Sequence, residues 1–236
     1  MREREKKWLI AMAAETAVNL GVLISGFGSN LQAIIDAIER GELAARVKVV
    51  ISNRGDAFGL ERARRHGIDA LVIEHRKFAS REAFDREVLA ALQARDVELV
   101  ILAGFMRLLS PVMIRAFPNR IMNIHPALLP AFPGLHVQQA AIDHGVRFSG
   151  CTVFFVTEGL DDGPIIIQAV VPVYPDDTEQ GLSERILAEE HRIYPRAIQL
   201  YQQGRLEVRG RKVFVKGDGG AKSIGEALIN PPLRYR

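Results

Sequence analysis

A chain of 236 residues, 48% of them hydrophobic, can bury a substantial core and reads as one large domain with short extensions. The formal net charge is only +3, and no basic stripe interleaved with aromatic residues runs through it, so nucleic acid is not an expected partner. No run approaches the roughly 20 apolar residues of a membrane span, and the single cysteine, Cys151, lies in an apolar strand pattern and has no internal partner, so a soluble cytoplasmic protein with a buried, inert thiol is expected.

Residues 1–18 open on a charge cluster. The apolar stretch from Trp8 to Ala14 that follows is short and runs straight into Glu15, unlike a signal peptide, so a disordered or loosely helical extension is expected. From residue 19 short apolar runs alternate with longer amphipathic ones. Strands are expected over 20–25, 47–52, 70–73, 99–103 and 121–124, each a nearly continuous apolar run of the kind buried on both faces. Helices are expected between them, over 30–40, 58–66, 81–95 and 112–117. This rhythm predicts a doubly wound α/β fold: a mostly parallel sheet with helices on both faces, and ligands bound beyond the carboxyl ends of its strands. Further on, a short helix is expected over 137–144, and two strands over 151–156 and 164–173 form an antiparallel pair across a turn-rich connection. A long helix follows over 178–201, with Asp177 placed to cap it, Gln180 to answer and Pro195 to kink it. A hairpin around Gly210 and a mobile Gly-rich tail complete the chain, giving divisions at 1–18, 19–208 and 209–236.

Two stretches carry chemistry. The glycine turn Ser25-Gly26-Phe27-Gly28-Ser29-Asn30 joins a strand to a helix. It begins like a dinucleotide fingerprint, but Leu31 holds the third glycine position and Asn53-Arg54 stands where an acid would meet a ribose. Free N–H groups at a helix start, with Ser29 and Asn30 beside them, suit a phosphate monoester. The second stretch, residues 123–134, delivers Asn123 and His125 from one face of a strand end into a loop stiffened by three prolines. Histidine exchanges protons near neutrality and asparagine donates to an oxygen that turns negative. Asp161, Asp162 and Asp143 compete as the acid partner. His136 and His144 lack the further ligands a zinc site needs, so no metal is expected.

These residues resemble the phosphoribosylglycinamide formyltransferases, a folate-dependent formyltransferase family of purine biosynthesis, over about residues 19–208. The resemblance rests on Gly-Ser-Asn-Leu-Gln at 28–32, Ala-Phe-Gly-Leu-Glu-Arg-Ala at 57–63 and Leu-Ala-Gly-Phe-Met-Arg at 102–107. It extends through Asn-Ile-His-Pro at 123–126, Pro-Gly-Leu-His at 133–136, Leu-Asp-Asp-Gly-Pro at 160–164 and Glu-His-Arg-Ile-Tyr-Pro at 190–195. It implies that Gly28, Ser29 and Asn30 hold the phosphate of the ribosyl glycinamide, and that Leu187, Ala188, Glu189 and Glu190 meet its glycinamide part. It further implies that Arg81, Met106, Arg107, Leu108, Leu109, Asn123, Thr157, Glu158, Gly159, Leu160 and Asp161 surround 10-formyltetrahydrofolate, with Asn123, His125 and Asp161 as the catalytic trio. Phe27 and Phe154 depart from the family, which often has Asn and His there; Phe154 is expected to alter the pocket's polarity. A monomer or homodimer acting on small molecules is expected. Water as formyl acceptor, a tRNA-bound acceptor and a non-catalytic phosphosugar module are the competing readings. The first two families carry additional domains, and the intact trio speaks against the third.

Overall fold

The computed structural model describes residues 17–217 and Leu228. The expectations for residues 1–16 and for the Gly-rich tail fall outside the described residues, Leu228 apart. The chain builds β1 (Val18–Ile24), α1 (Ser29–Glu39), β2 (Ala45–Ser52), α2 (Phe58–Arg65), β3 (Ala70–Val72), α3 (Arg81–Gln93), β4 (Leu99–Leu102), α4 (Pro111–Ala116) and β5 (Ile121–His125). It continues with α5 (Val137–Asp143), β6 (Phe148–Phe155), β7 (Ile165–Pro172), α6 (Glu179–Gln202), β8 (Leu206–Arg209) and β9 (Lys212–Val215). One nine-stranded sheet has the order β3-β2-β1-β4-β5-β6-β7-β9-β8. The first five strands pair in parallel, as continuous apolar runs require when both faces are covered. β6 and β7 then pair antiparallel, as the turn between them predicts.

Successive residues of one strand serve opposite cores. Val22 and Ile24 join Leu31, Leu60 and Ile186 on the face covered by α1, α2, α5 and α6. Leu23, with Ile51 and Val100, packs against Phe84, Val88 and Met113 of α3 and α4 on the other. The fold class is therefore as expected, a doubly wound sheet with an antiparallel C-terminal portion.

Several boundaries differ from expectation. β6 starts at Phe148 and not at the expected 151, because Ser149 and Gly150 lie opposite Val171 and Val170 in the ladder. Thr178, not Asp177, caps α6: its side chain accepts the Gly181 N–H at 3.1 Å. Asp177 instead accepts two hydrogen bonds from Arg185, each 2.8 Å, and one from the Tyr174 N–H, which hold its carboxyl below the usual range. Gln180 donates to Glu184, not back across the cap. Pro195 sits inside α6, which runs unbroken through it. The hairpin turning at Gly210 joins the same sheet, with β9 parallel to β7. No helix among the described residues is long and apolar enough to cross a membrane.

Candidate active site

The chain leaves β1 for β2 and β3 on one side, then returns to place β4 on the other, so the strand order reverses between β1 and β4. In an open α/β sheet the ligand crevice opens at that reversal, beyond the carboxyl ends of the strands. Ser25 ties the ends together: its N–H donates to the Gly104 carbonyl at 3.0 Å, its hydroxyl donates to Asn53 Oδ1 at 2.7 Å, and its oxygen accepts the Met106 N–H at 2.9 Å. The glycine loop follows. Gly28 adopts φ 75°, ψ 34°, and a Cβ there would lie 2.8 Å from the Gly59 Cα, so both conformation and space require glycine. Ser29 opens α1. A cleft of about 800 Å³ lies above, walled by the loops after β1, β2, β3 and β4, with Gly28, Ser29, Asn30, Met106 and Arg107 among its lining.

The Asn30 side chain is tied to α6. Its side-chain amide donates to Glu190 Oε2 at 2.7 Å, and both residues are buried. Burial pushes the Glu190 carboxyl up to about 7, the Asn30 hydrogen bond offsetting part of the shift. Of its neighbours on α6, Leu187 is half-buried, Ala188 is exposed and Glu189 pairs with Arg192 at 2.8 Å, so Glu190 is the member of this group joined to the glycine loop. One turn further on, the buried Tyr194 hydroxyl is shared between the carbonyls of Leu102 and Met122, pinning α6 to the end of β4 and the start of β5.

The segment Met106 to Leu109 is fixed at both ends, by the Met106 N–H on Ser25 and by the Ser110 N–H on the buried carboxylate of Asp85. Leu109 is buried, but Met106 and Leu108 are 67% and 56% exposed, as is Leu160 at 52% in the loop from Thr157 to Asp161. Of these, Met106 lines the cleft, and a large apolar side chain left open there suits an apolar ligand face. The Arg107 guanidinium lies over the Phe84 ring at 5.0 Å, and its Nε is buried without a partner. Arg81 stands at the start of α3, its guanidinium 4.0 Å from Glu82, and Glu158 lies 3.6 Å from Arg115.

Asn123 and His125 both lie on β5, two residues apart and so on one face. Phe154 is directly opposite Asn123 in the ladder and 2% exposed, so an apolar ring backs the asparagine. His125, 4% exposed, donates from Nε2 to the Phe132 carbonyl at 2.8 Å. Its Nδ1 lies 3.6 Å from Asp161 Oδ2, which also accepts the Gly134 N–H at 3.0 Å. Asp161 holds a left-handed backbone, φ 48°, of the kind found where a loop is over-determined by its surroundings. The other acids are committed elsewhere: Asp162 to the Thr157 hydroxyl, Asp143 to the Gln139 amide. Of the three candidate acids, the structure brings Asp161 to the histidine.

Sequence reasoning missed the residues that hold the proline-rich loop. Thr152, opposite His125 in the ladder, donates to the Ala127 carbonyl at 2.7 Å and accepts the Leu129 N–H at 3.1 Å. The Gln168 amide bonds both Thr152 and the Leu129 carbonyl. The signal for Thr152 is polarity at a fully buried strand position; Gln168 lies at an exposed one and gives no such signal. Cys151, next to Thr152, is fully buried and its thiol is pushed up to about 12. Among the described residues no three His, Cys, Asp or Glu side chains are grouped to hold a metal ion.

The formyl transferase family matches residues 18–198, and the chain belongs to that family. It is 46% identical over 200 residues to phosphoribosylglycinamide formyltransferase of Escherichia coli (strain K12), covering 85% of this chain and 94% of that one. Glycinamide ribonucleotide transformylase 1 from Symbiobacterium toebii superposes with a TM-score of 0.84 at 58% identity, over 85% of this chain and 94% of the other. A segment amounting to 14% of the trifunctional purine biosynthetic protein adenosine-3 of Drosophila melanogaster is 50% identical to 82% of this chain. Within the family the chain is an enzyme of the phosphoribosylglycinamide formyltransferase class.

Proposed function

We propose that this enzyme transfers the formyl group of 10-formyltetrahydrofolate to the amine of 5-phosphoribosyl glycinamide, a step of purine biosynthesis in the cytoplasm, with Asn123, His125 and Asp161 at the reacting centre. The observation that carries the reading is the His125–Asp161 contact, 3.6 Å apart with both side chains largely buried, on the strand next to the one that flanks the glycine loop.

The Phe132 carbonyl can only accept, so Nε2 of His125 carries a proton in every state that keeps this bond. Proton exchange therefore belongs to Nδ1, the nitrogen facing Asp161. When Nδ1 is protonated the ring is a cation, and the Asp161 carboxylate stabilises it. The substrate amine attacks the formyl carbon; a new C–N bond forms while the carbonyl oxygen gains negative charge. Asn123 donates to that oxygen with the His125 cation beside it. The bond from the formyl carbon to the folate nitrogen then breaks, the folate nitrogen takes a proton and the new amide nitrogen releases one, with Nδ1 as the exchanging group. Much of the rate comes from holding two substrates together. For the acceptor that falls to the N–H groups of residues 28–30 and to Glu190. For the folate it falls to Arg81, the 106–109 segment and the loop from Thr157 to Asp161.

The test mixes purified protein with 10-formyltetrahydrofolate and either the phosphorylated acceptor, the same acceptor lacking its 5′ phosphate, or no acceptor. Formylation of the phosphorylated acceptor is expected, with kcat/KM for the dephosphorylated form lower by about 100-fold, in line with the loss of a charge-assisted anion site. Equal kcat/KM for the two acceptors would remove the phosphate assignment. Release of formate without formylated acceptor would replace transfer by hydrolysis.

A further inference from the structure

The glycine loop is gripped from behind by α2. The Gly59 N–H donates to the Gly26 carbonyl at 3.1 Å, and Arg62 Nε donates to the Phe27 carbonyl at 3.0 Å. In a planar trans peptide the N–H points opposite to its carbonyl. Drawing these two carbonyls onto α2 therefore turns the N–H groups of Phe27 and Gly28 away from α2. Gly28 then takes its left-handed conformation and Ser29 begins α1, a succession that makes a concave nest of N–H groups. The N–H groups of Phe27, Gly28, Ser29 and Asn30 have no partner among the described residues, and all four residues line the cleft. Asn30, 8% exposed, adds a buried Oδ1 that is also unpartnered, an acceptor that a sugar hydroxyl next to a phosphate can satisfy.

Arg62 is itself held from three sides. Its terminal nitrogen donates to Gln32 Oε1 at 3.1 Å, and its guanidinium carbon lies 4.5 Å from the centre of the Phe27 ring and 5.0 Å from that of Phe58. The two rings stack on each other at 5.3 Å, although Phe27 is 65% exposed and Phe58 41%. Apolar rings so open to solvent need a reason, and a cation–π seat for a half-buried arginine supplies one.

We propose that Arg62, seated by Phe27 and Phe58, is a positioning residue for phosphate recognition: it fixes the Phe27 carbonyl on α2 and thereby aims the N–H groups of residues 27–30 at the phosphate monoester of the acceptor. The inference rests on the phosphate-loop reading given above and deepens it. Lysine cannot replace Arg62 in this role, because a single ammonium lacks the planar fork that meets Phe27 and Gln32 at once.

The experiment measures KM and kcat of full-length wild type, Arg62→Met and Arg62→Lys with the phosphorylated and dephosphorylated acceptors, and titrates each with ribose 5-phosphate by calorimetry; far-ultraviolet circular dichroism checks folding. Arg62→Met should raise KM for the phosphorylated acceptor about tenfold and weaken ribose 5-phosphate equally, with kcat within about twofold and the dephosphorylated acceptor unaffected. Arg62→Lys should behave like Arg62→Met. Full rescue by lysine overturns the proposal, since charge alone would then suffice; so do unchanged constants or equal losses for both acceptors. If Arg62→Met does not fold, Phe27→Leu removes one ring of the seat and should shift KM the same way by a smaller factor, and no shift there overturns the proposal. A wild type that ignores the phosphate defeats the phosphate-loop reading itself, a result separable from any outcome with the variants.

Discussion

Glu190 ties the glycine loop to pH. Its carboxyl titrates at about 7 against an ordinary 4.5, with burial as the cause. An acid raised in this way keeps its proton in the folded chain over a window where the unfolded chain has lost it. Its contribution to stability is therefore complete below about pH 4.5 and is lost as pH rises through about 7. Glu190→Gln leaves an oxygen for the Asn30 amide and removes the charge. The melting temperature of the variant relative to wild type should accordingly climb between pH 5 and pH 8, by an amount worth at most about 3 kcal/mol. A constant difference in calorimetric scans across that range would mean that Glu190 ionises normally. His125 and Asp161 are tested by coupling instead. His125→Ala and Asp161→Asn should each lower kcat by about 100-fold or more, and the double variant should be little worse than His125→Ala, because the acid acts through the imidazole. Independent multiplication of the two losses would free Asp161 from that role. The sequence pattern alone does not separate Asp161 from Asp162 in the turn, and puts Asp143 behind them on a helix expected to be solvated. It also gives no sign that Asn30 and Glu190 meet, since 160 positions separate them and only packing of α6 on α1 joins them.

Elements were more legible than contacts. Continuous apolar runs such as Leu99–Leu102 leave little alternative to a strand buried on both faces, and the alternation with amphipathic segments dictates parallel pairing. Legibility fails where two local signals compete. Asp177 and Thr178 are both capable N-caps, and the choice falls to Thr178 because Arg185, a turn and a half into the helix, captures the aspartate. The proline-rich loop after β5 is a similar case. Its prolines announce rigidity, but what anchors it to the sheet is Thr152 and Gln168, on strands that read as plain apolar runs. Thr152→Val keeps the shape and leaves the Ala127 carbonyl and the Leu129 N–H only their bond to each other, at 3.2 Å. It should cost about 1–3 kcal/mol in urea unfolding and lower kcat. KM for the phosphorylated acceptor should stay near that of wild type, because the glycine loop is held separately by Ser25 and α2. An equal rise in KM for both substrates with kcat intact would separate the loop from the reacting centre.

Taken whole, the molecule assembles its site from segments far apart in the chain. The glycine loop follows β1, Asn123 and His125 end β5, Asp161 lies beyond β6, and Glu190 is carried by α6. The two-core doubly wound layout was readable because each parallel strand is apolar on both faces. The attachment of the last hairpin was not, since β9 meets β7 through a single paired position that no local pattern encodes. A site built this way exists only in the folded chain, so a ligand that fills it binds the native state alone and stabilises it by mass action. Ribose 5-phosphate at 100 times its dissociation constant should add about 2.7 kcal/mol, which in a chain of this size raises the melting temperature by about 5–10 °C. Ribose at the same concentration lacks the anion for the N–H groups at the head of α1 and should shift it far less. Arg62→Met should reduce the gain from ribose 5-phosphate, while Thr152→Val, though less stable at the outset, should show the full gain. If calorimetry finds ribose 5-phosphate bound and the melting temperature nevertheless does not move, its binding contacts do not depend on the folded arrangement of these segments, and the glycine loop cannot be where it sits.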